Sequence, residues 1–239
     1  VDFPNYDCVN LDSTTDENIE SIPVLIYPVI NKFDLLEKSL EAIDHPINEI
    51  LIINNSHNDN NTVGLKEKFP NLNIRILNLP SNLGCAASWN LGIKLYPHVK
   101  YWMFGSNDTV TKPGTLREFA AQSKSDRAVF TKTQQYNIFS LGEDIIKETG
   151  LFDEFFYPVY WEDEDYTDRF YDEGFKIHII NADAFALEGG SQSYKNNELF
   201  MTRNSITDNL NREYFYEKKN NHINRGWNLD RRRKNEWFN

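Results

Sequence analysis

Glu49-Ile50-Leu51-Ile52-Ile53-Asn54-Asn55-Ser56 is the stretch that decides the fold. An apolar run too short for a helix, closing on polar residues, predicts a buried strand over 49–53 and a loop over 54–59. The pattern repeats on both sides. Upstream, Ile22-Pro23-Val24-Leu25-Ile26-Tyr27 predicts another buried strand, and Phe33, Leu35, Leu36, Leu40 and Ile43 fall at helical spacing between the two. Downstream, residues 62–69 read as a helix and Ile74-Arg75-Ile76-Leu77 as a strand. A helix through Ala86-Ala87-Ser88-Trp89-Asn90-Leu91 and a strand at Tyr101-Trp102-Met103-Phe104 follow. Strand–helix alternation over about a hundred residues predicts an α/β fold, a mostly parallel, Rossmann-like sheet with helices on both faces. Ligands of such sheets bind beyond the carboxyl ends of the strands, here the loops at 27–31, 54–59 and 105–109.

The second half is less regular. Residues 143–149 read as a helix, and an acidic stretch near 160 opens another that runs to Glu173, with Gly174 at its C-cap. Phe175-Lys176-Ile177-His178-Ile179-Ile180 reads as a strand. These signals divide the chain into a polar lead-in over 1–20, a main domain over 21–194 and a helical or irregular C-terminal extension over 195–239. In the extension, aromatics such as Tyr214, Phe215 and Tyr216 are expected to pack back onto the domain up to about 228. The basic run Arg231-Arg232-Arg233-Lys234 is expected to be solvated.

Composition narrows the function. A net charge of −11 opposes general nucleic-acid binding, because a phosphate backbone is repelled. The two cysteines, Cys8 and Cys85, support neither a disulfide framework nor a zinc cluster and suit a reducing compartment. No apolar run approaches the roughly 20 residues that span a bilayer, so the sequence reads as cytoplasmic, without a transmembrane segment.

The densest chemistry lies in Tyr160-Trp161-Glu162-Asp163-Glu164-Asp165-Tyr166-Thr167-Asp168-Arg169. Carboxylates set this close need water, a helix N-terminus or a cation to compensate them. A solvated first helical turn would satisfy that need. The flanking rings and a second acidic site, Ser106-Asn107-Asp108 at the end of a strand, point instead to a metal-diphosphate site with a general base. Asn54-Asn55-Ser56-His57-Asn58-Asp59 offers amides to a nucleobase, or is simply a self-satisfied polar loop. Pro80-Ser81-Asn82-Leu83-Gly84-Cys85 allows close backbone approach to a ligand, or serves helix–sheet packing.

The order of these elements carries the specificity. Tyr27-Pro28-Val29, Asn54-Asn55-Ser56, Asn82-Leu83-Gly84, Asn90-Leu91-Gly92, Ser106-Asn107-Asp108, Gly150-Leu151-Phe152-Asp153-Glu154-Phe155-Phe156 and Trp161-Glu162-Asp163-Glu164-Asp165 with Arg169 follow one another. This succession resembles glycosyltransferase family 2, with the GT-A fold, over about 22–193, and its 150–180 part is similar to the rhamnosyltransferase-type branch. The resemblance implies an inverting transferase. It would move a sugar from a nucleotide-diphosphate donor, most simply UDP-linked, to a hydroxyl of a glycan or other acceptor.

By the resemblance, Pro28, Val29 and Asn31 border the nucleoside, Asn54 takes the base-reading position beside Asn55, and Asn82, Gly84, Ser106 and Asn107 complete the donor site. Asp108 would be the ligand of Mn²⁺ or Mg²⁺, with Ser106 replacing the usual first carboxylate. Asp163 matches the catalytic base, with Glu162 and Asp165 supporting it, and Trp161 or Tyr160 offers a platform for a sugar ring. Glu188 falls where relatives carry a metal-binding His and is either an oxygen substitute or a turn residue. Two alternatives stay open: a noncatalytic carbohydrate-binding or scaffold protein on a degenerate GT-A fold, and a sugar nucleotidyltransferase.

Overall fold

The computed structural model describes residues 6–133, 135–187 and 198–220. Its strands are β1 (Cys8–Asn10), β2 (Leu25–Val29), β3 (Ile50–Asn54), β4 (Ile74–Asn78), β5 (Tyr101–Gly105), β6 (Thr109–Thr111), β7 (Ala128–Phe130), β8 (Ile138–Gly142), β9 (Ile177–Ile179) and β10 (Ala184–Ala186). Its helices are α1 (Phe33–Glu41), α2 (Leu65–Lys68), α3 (Cys85–Leu95), α4 (Thr115–Gln122), α5 (Glu143–Thr149), α6 (Glu162–Asp172) and α7 (Glu198–Asn220). Eight strands form one sheet in the order β1-β9-β7-β8-β5-β2-β3-β4, and β6 pairs with β10 in a separate ribbon. Within the large sheet only the pairings of β8, with β5 and with β7, are antiparallel. The mostly parallel α/β sheet read from the sequence is therefore present.

Alternation along each strand sorts the core into two halves. Ile26, Leu51, Ile53, Trp102 and Phe104 face α3, α5 and α6, against Trp89, Ile93, Ile145, Tyr166 and Phe170. Leu25, Ile50, Ile52, Tyr101 and Met103 face α1 and α4, against Leu36, Leu40, Leu116 and Phe119. Both faces are covered, which is why these strands read as continuous apolar runs.

The structure corrects several boundaries. The first predicted strand starts three residues late, because Ile22 makes only an isolated bridge to Ile47 before Pro23 interrupts the chain. It then runs on through Pro28 and Val29, which the sequence had placed in a loop. Pro28 is tolerated there. Leu25 N donates to Glu49 and Val29 O accepts from Asn55, so odd positions bond toward β3. The missing N–H of Pro28 thus faces the β5 side, where pairing ends at Ile26. The helix expected over 62–69 shrinks to a short turn at Asp59–Thr62 and α2, parted by Gly64 at φ 78°. Within the lead-in, Cys8–Asn10 forms a sheet edge beside β9, and α7 lies in the C-terminal extension.

Candidate active site

A cleft of about 300 Å³ opens at the carboxyl ends of β2, β3 and β5. Pro28, Val29 and Asn55 form one wall, with Asn82 and Gly84 from the turn into α3. Ser106, Asn107 and Asp108 follow β5 into its floor, and Glu162 and Asp163 face them from the start of α6. Most of the donor-site residues expected from the sequence thus share one cavity with the expected base. A larger hollow of about 480 Å³, lined by Lys112, Gly114, Arg117 and Asp183 among others, lies away from these strand ends.

Gly84 is at φ 83°, and a Cβ there would stand 2.8 Å from the Pro158 carbonyl oxygen. That close approach lets Cys85 N donate to Pro158 O at 2.7 Å, which ties the turn before α3 to the segment before α6. Asn55 is consumed in building the wall: its Nδ2 donates to Ser88 Oγ and its Oδ1 accepts from Leu83 N. After β5, Ser106 Oγ donates to Asp108 Oδ1 at 2.6 Å, and Asn107 Nδ2 donates to the carbonyls of Asn31 and Lys32. Asp108 is buried, at 5% exposure, beneath the cleft.

Glu162 is the most perturbed acid in the cleft. It is 3% exposed, and its Oε2 has no hydrogen-bond partner among the described residues. Burial first, and the neighbouring charge of Asp163 second, push its carboxyl up to about 8. The Cys85 thiol beside it is pushed well above its ordinary value by burial and then by the charge of Glu162. Glu162 thus holds a proton at neutral pH next to Asp163.

An acid held this way costs stability as pH rises. The folded chain binds the proton more tightly than the unfolded one, so the penalty is absent below about pH 4.5, grows up to about pH 8 and is constant above. Glu162→Gln is therefore expected to match the parent's melting temperature near pH 4 and to exceed it near pH 8. The gain is on the order of 2 kcal/mol, or roughly 4–8 °C, after discounting for solvent reaching the cleft. Parallel melting curves for the two proteins across pH 4–9 would show that Glu162 is not held protonated.

Four expected residues lie elsewhere. Asn54 belongs to β3 with its side chain inside the protein: Nδ2 donates to Asn58 O and Asn78 Oδ1, while Oδ1 accepts from Ser56 N and Ser56 Oγ. No donor or acceptor of Asn54 is left to read a base. Asn31 contributes its carbonyl to Asn107 and does not line the cleft. Trp161 turns to α7 instead of offering a sugar platform: its indole donates to Asp208 and its ring packs on Phe215. Asp165 is a structural anion, held by Arg169 Nε at 2.8 Å and Lys218 Nζ at 2.5 Å. Glu188 lies outside the described residues.

The model of glycosyl transferase family 2 matches residues 24–187, more than half of the 239-residue chain. The chain belongs to this family. The family 2 match takes in every cleft residue so far named and ends before α7. Among solved structures, S. aureus TarS is similar with a TM-score of 0.57 and 18% identity, over 70% of this chain and 36% of that one. S. aureus TarS 1-349 in complex with UDP-GlcNAc gives 0.56 and 17%, over 91% and 70%. GalNAc-T7 with UDP, GalNAc and Mn²⁺ gives 0.55 and 12%, over 85% and 51%. At these identities the likeness establishes the GT-A fold, and this family 2 chain spans about a third of the length of the first of them. No curated protein matches the chain.

Sequence reasoning missed part of the family 2 cleft. Tyr136 and Asn137 come from the turn before β8, and Ser106 N donates to Asn137 O at 2.7 Å. Tyr160, one of the two rings expected as a sugar platform, does line the cavity. Val159 and Asn204 of α7, which the sequence did not single out, close it, and Asn204 Nδ2 donates to Tyr160 Oη at 2.8 Å. The spacing of Asn204, Asp208, Asn211, Phe215 and Lys218, one face of a helix, was the available signal for α7.

Proposed function

We propose that this chain is an inverting glycosyltransferase that moves a sugar from a UDP-linked donor to a hydroxyl of a glycan or other acceptor. The observation that carries the reading is that, in a family 2 chain, Ser106–Asp108 after β5 and Glu162–Asp163 opening α6 line one cleft at the strand ends. The neighbours solved with UDP, or with UDP-GlcNAc, agree with that donor class. No helix of the described residues is long and apolar enough to cross a membrane.

In this reading the nucleoside lies along Pro28 and Val29, and the diphosphate lies over Ser106, Asn107 and Asp108. Asp163 takes the proton from the acceptor hydroxyl as its oxygen attacks the anomeric carbon opposite the diphosphate. The bond to the diphosphate oxygen breaks with its electron pair, and UDP departs. The anomeric configuration inverts. Glu162, carrying its proton, presents a neutral hydrogen-bonding group to the cleft beside that base.

The donors at Ser106 and Asp108 fit a hard cation such as Mn²⁺ or Mg²⁺ that shares its shell with phosphate oxygens and water. When bound, the cation supplies neutralisation of the charge on the departing diphosphate. With Ser106 in place of a first carboxylate, phosphate oxygens supply much of the shell in this reading. UDP is therefore expected to bind at least about tenfold more tightly with Mn²⁺ than in excess chelator, because several of the oxygens around the ion come from its own phosphates. Equal affinities by calorimetry would make the site metal-independent. The thin protein ligand set is also what favours a noncatalytic carbohydrate-binding protein as the second reading. Screening UDP-sugars for slow hydrolysis decides between them without knowledge of the acceptor. Release of UDP from one donor supports the transferase, and binding without hydrolysis of any donor supports the rival.

A further inference from the structure

Val159, Tyr160 and Trp161 lead into Glu162, and two of them occupy backbone that residues with side chains rarely adopt. Tyr160 is at φ 83° and Trp161 at φ 73°. Left-handed backbone costs about 1–2 kcal/mol per residue, so two in succession persist only where surrounding contacts hold them. Helix α6 itself offers no side-chain cap at its start.

The holding contacts come from α7. Asn204, Asp208 and Asn211 are spaced four and three apart, on one helix face. Asn204 Nδ2 donates to Tyr160 Oη at 2.8 Å, and Trp161 Nε1 donates to Asp208 Oδ1 at 2.9 Å. Asn211 is buried, and its Nδ2 donates to the carbonyls of both Val159 and Tyr160 at 3.0 Å. Phe215 continues the face with its ring 5.3 Å from that of Trp161. An apolar face would have sufficed for packing a helix here. These polar groups instead meet three consecutive residues and fix the orientation of the peptide units between them. The Trp161 carbonyl then accepts from Asp165 N at 3.0 Å as α6 begins.

We infer that Asp208 and Asn211 are positioning residues: through the left-handed turn at 159–161 they set the direction in which Glu162 and Asp163 enter the cleft. The inference rests on the reading of that cleft as the transfer site, but the turn itself is measurable without substrate.

The test uses the full chain with Asp208→Ala, Asp208→Asn and Asn211→Ala. Asp208 is half-buried and does not line the cleft, so its variants act through Trp161. Asp208→Ala is expected to lower kcat for UDP-sugar hydrolysis about tenfold, as a small misplacement of a reacting group does, with KM for the donor within about twofold. Asp208→Asn keeps an oxygen acceptor for the indole and is expected to recover most of kcat. In the ligand-free protein, amide exchange over 159–164 should quicken at least about tenfold in Asp208→Ala and Asn211→Ala, while 105–109 is unchanged, because only the local turn opens.

Unchanged exchange over 159–164, or Asp208→Asn as impaired as Asp208→Ala, would overturn the inference. So would equal losses in kcat and donor affinity accompanied by a general loss of protection. If the parent chain hydrolyses no donor, the reading of the reaction fails, and exchange alone decides the positioning. If Asn211→Ala does not fold, the two Asp208 variants decide it.

Discussion

Asp163→Asn is expected to lower transfer by about 10²–10⁴-fold, the usual contribution of a positioned general base. UDP affinity should stay close to that of the parent, and the melting temperature near pH 8 should not fall, because removing this charge relieves part of the penalty on the protonated Glu162. Asp163 lines the cleft, and its Oδ1 accepts from Glu164 N at 3.0 Å. A second readout follows from its neighbour. The charge of Asp163 is part of what raises Glu162, so removing it should lower the Glu162 titration from about 8. Near-parental turnover in Asp163→Asn at saturating donor and acceptor would remove Asp163 as base. An equal loss from Glu164→Gln alone would move the role to Glu164.

The second large effect is on stability. Lys218 Nζ lies 2.7 Å from Asp153 Oδ2 and 2.5 Å from Asp165 Oδ1, and the three side chains are 8%, 1% and 5% exposed. Tyr214 Oη also donates to Asp153 Oδ2, and Arg169 holds the other oxygen of Asp165. Removing the cation leaves the buried Asp153 without its direct ion pair, with only the more distant charge of Arg169 to offset it. Lys218→Met is therefore expected to cost about 3–5 kcal/mol, which for a chain of this size lowers the melting temperature by roughly 6–20 °C. Lys219 pairs with Asp168 at 2.6 Å, but its side chain is 57% exposed. Lys219→Met should thus cost about 1 kcal/mol or less, as exposed pairs do. Similar melting temperatures for the two variants would contradict the clamp between α7 and α6.

The central sheet was legible because β2, β3 and β5 are buried on both faces and so read as apolar runs. Short strands carry no such signal. Cys8-Val9-Asn10 has no period to detect, and its place at the sheet edge depends on β9, far along the chain. At the site, sequence order located both carboxylate clusters but could not assign side-chain directions. Successive residues of a strand point to opposite faces, so which of Asn54 and Asn55 reaches the cleft depends on register. In the same way, the run from Trp161 to Asp165 reads as one acidic motif, yet α6 divides it. Glu162 and Asp163 line the cleft, while Asp165 turns to Arg169 and Lys218. The role of Trp161 was hidden for a further reason: its partners Asp208 and Phe215 sit on a helix with few apolar residues on the buried face.

The most direct measurement is the position of a donor in the crystal. Crystals of Asp163→Asn soaked with a UDP-sugar and Mn²⁺ should show the diphosphate beside Ser106–Asp108 and the anomeric carbon turned toward residues 162–163. A nucleotide seated in the hollow between Lys112 and Asp183, or a sugar turned away from α6, would contradict the account.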